Sequence, residues 1–344
     1  MNILVTGAGA LLGQGILRCL KLTNSNDNII TADPSPTSSG HWLGNKSYLI
    51  PLALSPDYMP AIEKIIKEEN IAIVFIGTDV ELPIFAKHKE ELEKKYNTHI
   101  VVASSAIVDI ANDKWLTTEF LRKNNFPYPH SALTSDRAGV QKIIAERGFP
   151  VIVKPVDGAR SIGFEVIKDQ ERLEVFLSTP NNFVVQERLS DDEGEYTSGC
   201  VVYNGECKAI VTLKRDLRDG NTFRTYRDKE TSKYDETIRQ MAGRLNIEGP
   251  CNFQFRIKNG QPVIFEINSR FSGTTPLRCF YGFNEVEAIL GYIFDKKDIT
   301  QPVLKEGVVM RVFSDIMITN EDLSTFKVNG VFDHPASEQF NFIP

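Results

Sequence analysis

The stretch 252-NFQFRIKNGQPVIFEINSR-270 carries polar side chains at alternate positions of two apolar runs. Asn259-Gly260 separates the runs, which is the strongest short-range signal of a β-hairpin. Side chains alternate between the faces of a strand, so Glu266 and Asn268 share one face and Gln254 can join it from the other strand. Three oxygen donors on one face suit Mg²⁺, which prefers hard ligands. We therefore predict a metal site formed by these three residues, with a solvent-facing polar edge as the alternative.

Two lysines upstream of the hairpin stand where a fixed cation can meet a polyphosphate. Lys154 ends the apolar run Val151–Val153, and Lys114 opens a predicted helix directly after Asp113. An acidic residue just before the first turn is typical of a helix start, and the lysine that follows can reach a bound phosphate. A solvated helix turn and an ordinary strand-end lysine are the alternatives.

A loop of small residues, 157-DGARSIG-163, follows Lys154-Pro155 immediately. Such a loop between two strands can close over phosphate groups and donate backbone N–H groups to them. We predict a nucleotide contact at Ser161 in this loop, and a plain hairpin turn is the alternative.

Three glycines near the start of the chain form a more conspicuous but less specific motif. Gly7, Gly9 and Gly13 follow the first predicted strand and open a helix, and Asp33 ends the next strand. This is close to a dinucleotide fingerprint, although the spacing is GxGxxxG. Glycines at such a place also serve a tight turn and close helix packing. We interpret them first as a structural turn, with a nicotinamide or nucleotide-sugar site as the alternative.

The pattern of the chain changes near Val151. Before that point apolar runs alternate with amphipathic segments, which predicts a parallel sheet with right-handed crossovers. The predicted strands are 3–6, 28–32, 71–76 and 99–103, and the first predicted helices are 11–22 and 58–69. After that point, β-rich runs joined by Asn-Gly turns predict antiparallel sheet with interspersed helices. The predicted fold class is α/β plus α+β.

Composition limits the classes of partner. The 344 residues carry a net charge of -6, which argues against nucleic-acid binding through phosphate contacts. The five cysteines are scattered without a CxxC pair, so we expect reduced, packed thiols and no zinc site. No run approaches the ~20 apolar residues of a membrane span, and the N-terminus lacks the basic region of a signal peptide. We therefore expect a cytoplasmic protein that binds no membrane.

In their order along the chain, the two lysines, the small-residue loop and the polar hairpin resemble the ATP-grasp superfamily. Gln254, where many members carry Glu, resembles the carbamoyl-phosphate-synthase-like branch. The resemblance covers essentially the whole chain and implies four parts. These are a Rossmann-like pre-ATP-grasp domain (1–111), an ATP-grasp small subdomain with a linker helix (112–185), a large subdomain with the metal site (186–319) and a C-terminal extension (320–344).

The resemblance also implies roles for individual residues. The stretch Glu187–Leu189 is the implied hinge that holds adenine, Glu195 takes the ribose hydroxyls, and Lys214 is a further phosphate-facing cation. A solvated acidic loop is the alternative for the region around Glu195. Arg270 and Lys154 are the implied catalytic residues, since each can stabilise charge that develops during phosphoryl transfer. The implied nucleotide contacts are Lys114, Lys154, Ser161, Gln186, Glu187, Arg188, Leu189, Glu195 and Lys214.

The function predicted from this resemblance is ATP-dependent carboxylate–amine ligation through an acyl phosphate. ATP and Mg²⁺ are the expected cofactors, with Mn²⁺ as the alternative ion, and the substrates are an amino acid or other small carboxylate and an amine. A homodimer is left open. The competing interpretations are an NAD(P)-dependent oxidoreductase that uses the glycine motif, and a nucleotide-binding module without catalysis.

Overall fold

The computed structural model describes residues 1–23, 25–157, 163–180, 182–312 and 314–334. Within these ranges the strands are β1 Asn2–Thr6, β2 Asn28–Asp33, β3 Lys46–Leu49, β4 Ile73–Phe75, β5 His99–Val101, β6 Ser131–Leu133, β7 Val151–Pro155, β8 Glu165–Ile167, β9 Phe183–Glu187, β10 Glu195–Tyr203, β11 Glu206–Arg218, β12 Asn221–Arg227, β13 Gly249–Lys258, β14 Gln261–Asn268, β15 Gly307–Met310 and β16 Val331–Asp333. The α-helices are α1 Leu11–Leu22, α2 Tyr58–Glu68, α3 Leu82–Tyr96, α4 Ser105–Asn112, α5 Lys114–Lys123, α6 Arg137–Arg147, α7 Gln170–Leu177, α8 Asp235–Leu245, α9 Thr275–Arg278, α10 Glu285–Phe294 and α11 Asn320–Asn329.

The N-terminal sheet has the order β16-β3-β2-β1-β4-β5, and its strands β1 to β5 run parallel. Its central strand is fully buried at Ile3, Leu4 and Val5, as expected for a parallel sheet that is covered on both faces. Strand β3 was not predicted from the sequence. Nor was the return of the chain at β16, which pairs antiparallel with β3 at the sheet edge.

A small antiparallel sheet has the order β6-β9-β7-β8. Helices α6 and α7 supply Val140, Ile143 and Leu173, which pack with the buried valines of the sheet in a separate core. Strand β7 runs antiparallel to β9 with Lys154 opposite Val184. The sheet therefore brings the lysine at the end of β7 beside the strand that ends at Glu187.

The large sheet is antiparallel with the order β14-β13-β10-β11-β12-β15. Both Asn-Gly hairpins predicted from the sequence are confirmed, because positive φ angles at Asn204, Gly205, Asn259 and Gly260 close β10–β11 and β13–β14. One face of the sheet packs on α8. The other face packs on a core shared with α1 and α10 of the chain.

The predicted fold class, a parallel-sheet N-terminal domain followed by α+β units, is confirmed. No helix in the described ranges has both the length and the apolar character needed to cross a bilayer.

Candidate active site

The three predicted metal ligands meet on one face of the large sheet. Gln254 lies opposite Glu266 across the β13–β14 pair, and Asn268 lies opposite Asn252. Oε1 of Glu266 accepts one hydrogen bond from Nε2 of Gln254 at 2.9 Å and another from Nδ2 of Asn268 at 3.0 Å. We call Gln254, Glu266 and Asn268 the hairpin trio. The alternation of a short hairpin is enough to bring these side chains together.

The donor chemistry of the hairpin trio fits a magnesium ion. A carboxylate and two amide groups converge, and all three can present oxygen to a hard cation. Within the described ranges both hydrogen bonds to Glu266 use Oε1, and no group donates to Oε2. Oε1 of Gln254 accepts from Nη2 of Arg215 at 2.5 Å, so this amide must rotate before its oxygen can face an ion.

Lys154 approaches the hairpin trio from the small sheet. Its ammonium group donates to Oε1 of Gln186 at 3.1 Å and to the backbone oxygen of Phe265 at 3.3 Å, and only 8% of the residue is exposed. Its pKa is lowered from 10.5 to about 8, mainly by burial, with Glu266 opposing the shift and the charge of Lys114 adding to it. A buried cation is costly without an anion, so this position favours a negatively charged ligand.

Lys114 begins α5 and faces the same carboxylate. Asp113 caps the helix by accepting from the backbone nitrogens of Trp115 at 2.7 Å and Leu116 at 2.9 Å. Burial lowers the pKa of Lys114 below its ordinary value, and Glu266 is the largest influence in the opposite direction. Glu266 thus acts on the pKa of both lysines, which is consistent with two cations and one carboxylate in the same region of the fold.

The predicted hinge lies where β9 ends. Gln186 is buried between Lys154 and Ser131, whose hydroxyl accepts from Nε2 of Gln186 at 2.9 Å. Burial alone would raise the pKa of Glu187, but Lys258 at 2.6 Å and the backbone nitrogen of His130 hold it below its usual value. The Glu187 carboxylate and the backbone bond from its nitrogen to the His130 oxygen at 2.9 Å therefore fix the strand end.

The next two hinge residues diverge. Arg188 is exposed and pairs with Asp191, whereas the Leu189 side chain is buried and its backbone oxygen accepts from Nη1 of Arg256 at 3.1 Å. The side chain of Arg188 is therefore engaged at the surface by a neighbouring carboxylate.

Glu195 begins β10 on the same face as Gln254. Its Oε1 accepts from Arg215 at 2.5 Å, and its Oε2 accepts from Arg256 at 3.1 Å. Arg215 in turn contacts Gln254, so one guanidinium group links the predicted ribose residue to the hairpin trio. Arg215 was not among the predicted site residues, because Lys214 beside it was the better match to the family pattern.

The structure does not bring Lys214 to this face. Lys214 pairs with Tyr196 across β10–β11, and its ammonium lies 6.0 Å from the centre of the Tyr196 ring. Tyr196 stacks on Phe255 in the core beneath the sheet. Adjacent residues of a strand point to opposite faces, so Arg215 faces Gln254 and Lys214 faces away from it.

Arg270 lies two residues beyond Asn268 and turns toward the N-terminal domain. Its Nε donates to Oδ1 of Asp79 at 2.6 Å, and its Nη1 donates to the backbone oxygen of Phe271 at 2.9 Å. Asp79 belongs to a 3₁₀ helix, Asp79–Glu81, that follows β4 of the parallel sheet. The predicted catalytic arginine is therefore held by a residue of another domain that sequence analysis did not identify.

A second arginine, Arg278, is fully buried behind the hairpin trio. It donates to Oε1 of Glu285 at 2.8 Å and to Oδ1 of Asn252 at 2.7 Å, the residue opposite Asn268. It also donates to three hydroxyl groups in the segment after Arg270, those of Ser272, Thr274 and Thr275. A Cβ at Gly199 would lie 2.1 Å from Cζ of Arg278, so glycine is required there. Sequence patterning did not identify this network, because its members come from three separate segments.

The remaining nucleotide contact predicted from the sequence, Ser161, lies outside the described residues.

The glycine turn near the N-terminus is tightly packed and makes its hydrogen bonds within the fold. Gly7 has a φ of +53°, and a Cβ on Gly13 would lie 2.2 Å from the Gly7 oxygen. The carboxylate of Asp33 accepts from the Gly9 nitrogen at 2.8 Å and from the Ser38 hydroxyl at 2.6 Å. Asp33 is thus occupied by hydrogen bonds within the fold, which favours the structural interpretation of these glycines over a dinucleotide site.

A parallel N-terminal sheet followed by a small and a large antiparallel sheet is the arrangement of the ATP-grasp fold. Residues 179–316 match the family model described as ATP-grasp in the biosynthetic pathway with Ter operon. Residues 3–101 match the model of the PylC-like N-terminal domain. The chain thus combines a PylC-like N-terminal domain with an ATP-grasp domain, and the predicted ATP-grasp, carbamoyl-phosphate-synthase-like class is confirmed.

The similar proteins are distant in sequence. The carbamoyl phosphate synthase large chain of Caldanaerobacter subterraneus subsp. tengcongensis is 26% identical over 304 residues, which is 80% of this chain but 27% of the relative. The Archaeoglobus fulgidus large chain is 24% identical with the same coverage. This chain therefore spans about a quarter of the length of the curated relatives it matches.

Solved structures of the same fold include a synthetase and a carboxylase domain. N5-carboxyaminoimidazole synthetase of Staphylococcus aureus with ADP has a TM-score of 0.67 at 16% identity, covering 90% of this chain and 79% of that one. The biotin carboxylase domain of the Hydrogenobacter thermophilus 2-oxoglutarate carboxylase, bound to MgADP, has a TM-score of 0.69 at 14% identity, covering 89% and 73%. At these identities the likeness supports the fold alone.

Proposed function

We propose that this protein is an ATP-dependent carboxylate–amine ligase that works through an acyl phosphate. The single observation that carries the proposal is the convergence on Glu266, whose carboxylate contacts Gln254 and Asn268 and shifts the pKa of Lys154 and Lys114. One carboxylate among oxygen donors and two cations is the arrangement that a metal–polyphosphate complex requires.

In this proposal each group of residues at the site binds a different part of Mg-ATP. Lys154 and Lys114 balance the phosphates, the backbone of Gln186–Leu189 takes the adenine, and Glu195 takes the ribose. The hairpin trio holds Mg²⁺, which supplies charge neutralisation and alignment of the β- and γ-phosphates when bound. These residues act by positioning and electrostatics, and the reaction needs no protein nucleophile.

The chemical step that follows from such a site is transfer of the γ-phosphoryl group to a carboxylate. A carboxylate oxygen attacks the γ-phosphorus in line and ADP leaves with the bridging electron pair. An amine then attacks the acyl carbon, phosphate leaves, and a carbon–nitrogen bond forms. The acid is proposed to be an amino acid or another small carboxylate, and the chain is proposed to act on small molecules in the cytoplasm.

An ADP-release screen over pairs of carboxylates and amines with Mg-ATP tests the proposal. With the cognate acid labelled by ¹⁸O in its carboxylate, one ¹⁸O should appear in the released phosphate, as an upfield ³¹P shift. ADP release without ¹⁸O transfer would reject the acyl phosphate. ATP binding with no carboxylate-dependent ADP release from any pair would favour a non-catalytic module, and saturable NAD(P)H binding would favour the oxidoreductase.

A further inference from the structure

The ion pair between Arg270 and Asp79 joins residues that are 191 positions apart in the chain. The two residues follow strands of two different sheets. Arg270 follows the hairpin trio on β14, and Asp79 follows β4 of the parallel sheet. The Arg270 side chain is 12% exposed and that of Asp79 is 26% exposed, so the pair is shielded but open on one side. A pair in this setting is held more firmly than one on the surface.

The contacts of Arg270 leave one edge of its guanidinium group available. Nε is engaged by Asp79 and one N–H of Nη1 by the backbone oxygen of Phe271. No acceptor within the described ranges contacts Nη2. Three of the five N–H groups therefore remain, one on Nη1 and two on Nη2, and a planar pair of such groups matches a carboxylate or two phosphoryl oxygens.

Asp79 itself stands in a rigid corner of the N-terminal domain. Its 3₁₀ helix ends at Glu81, which is 3% exposed and accepts from Tyr58 at 2.5 Å, Thr78 at 2.8 Å and Thr6 at 3.0 Å. These bonds anchor the helix to the carboxyl end of β1. The position of Asp79, and through it the direction of the Arg270 fork, is consequently fixed by the parallel sheet.

We propose that Asp79 is a positioning residue that aims the free edge of Arg270 at the carboxylate substrate beside the hairpin trio. The inference rests on the proposed ligase function. It assigns the N-terminal domain an indirect part in the chemistry, since the arginine that neutralises the acid or its developing phosphoryl charge depends on a carboxylate from that domain.

Kinetics of three variants, Asp79→Ala, Arg270→Ala and the double variant, test this role. A hydrogen bond to a charged group is worth about 1.5–3 kcal/mol, so Asp79→Ala should lower kcat by a factor of about 10 to 100. The KM for Mg-ATP should change less than about twofold. The double variant should be no slower than Arg270→Ala, because without the arginine Asp79 has nothing to aim. Asp79→Glu, which keeps the charge, should recover part of the loss.

A matched control uses another carboxylate–cation pair of the same domain. Glu63 accepts from Lys95 at 2.6 Å on the outer surface, so Glu63→Ala removes a comparable contact and should leave kcat unchanged. Additive losses in the double variant, or a kcat for Asp79→Ala within twofold of the unaltered protein, would overturn the positioning role.

A measurement on the ligand-free protein separates this inference from the proposed function. The Nε–H resonance of Arg270, assigned by its loss in Arg270→Lys, should exchange slowly with solvent and should broaden or disappear in Asp79→Ala. An unchanged resonance would contradict the inference. Absence of carboxylate-dependent ADP release would instead reject the ligase function, and the resonance would still decide whether Asp79 holds Arg270.

Discussion

The glycine turn at Gly7–Gly13 and the hairpin trio both place polar groups at strand ends, yet they use those groups differently. At the turn, the Asp33 carboxylate accepts from two backbone nitrogens, those of Gly9 and Ser35, and from the Ser38 hydroxyl. At the hairpin, Oε2 of Glu266 accepts from no group within the described ranges, and two cations with lowered pKa values lie near it. The polar groups of the conspicuous glycine turn are thus satisfied by hydrogen bonds within the fold. The candidate site at the hairpin trio keeps charge and hydrogen-bonding capacity for a ligand.

We expect neutralisation of Glu266 to have the largest effect on activity. Glu266→Gln removes the one carboxylate of the hairpin trio while keeping its shape, so cation binding and phosphoryl alignment are lost together. We expect ADP release to fall by a factor on the order of 10³ or more, which is about 4 kcal/mol of transition-state stabilisation. The free energy of unfolding should change by less than about 1 kcal/mol. Near-normal ADP release would remove the hairpin trio from the mechanism.

The reciprocal change is Asp33→Asn in the glycine turn. It weakens charge-assisted hydrogen bonds to Gly9, Ser35 and Ser38, so the free energy of unfolding should fall by about 2 kcal/mol, or roughly 30-fold in the folding equilibrium. ADP release by the folded fraction should stay within twofold of normal. Urea denaturation and the ADP assay measure the two quantities on one sample. A large loss of activity at unchanged stability would show that the turn belongs to the site.

The pH dependence of Mg-ATP binding tests whether the charge of Lys154, beside the hairpin trio, contributes to binding. The pKa of Lys154 is lowered from 10.5 to about 8 in the fold, so its charge is present at neutral pH and is lost as pH rises through 8. The Kd for Mg-ATP should therefore increase by up to about tenfold per pH unit above that value. Lys154→Arg keeps its charge at every accessible pH and should flatten the profile between about pH 7 and 9. A rising profile that persists in Lys154→Arg would assign the titration to another group.

The smallest expected effect concerns the charge of the hairpin trio. Gln254→Glu adds a second carboxylate beside Glu266 and should tighten Mg²⁺ binding about fivefold, because affinity rises with the number of charged ligands. Gln261→Glu adds the same charge at the exposed turn of the same hairpin and is the control. Isothermal titration with Mg²⁺ in the presence of ADP compares them. Equal affinities for the two variants would show that Gln254 is not a ligand.

The hairpin trio could be predicted because everything it needs is local. An Asn-Gly turn sets the register of β13 and β14, and period-two alternation then puts Gln254, Glu266 and Asn268 on one face. The parallel sheet of the N-terminal domain followed from the same kind of short-range pattern. The identities of these residues determined the fold class and the chemistry of the cleft without reference to distant contacts.

Other parts of the site depend on pairings between distant segments, which only the tertiary structure decides. Arg215, and not Lys214, faces the hairpin trio, because Arg215 pairs with Glu195 across β10–β11 and its neighbour points to the opposite face. The return of the chain to the edge of the first sheet at β16 was likewise invisible in the local pattern.

The contact between Arg270 and Asp79 is the clearest case of this division. Nothing in the neighbourhood of either residue in the sequence signals the other, because the contact exists only where the carboxyl end of one sheet meets the loop that leaves another. The amino-acid sequence by itself determined which residues are candidates to bind phosphate, metal and carboxylate. The tertiary structure decided which of those groups form hydrogen bonds within the fold and which meet at the candidate site, because that outcome depends on contacts between segments far apart in the chain.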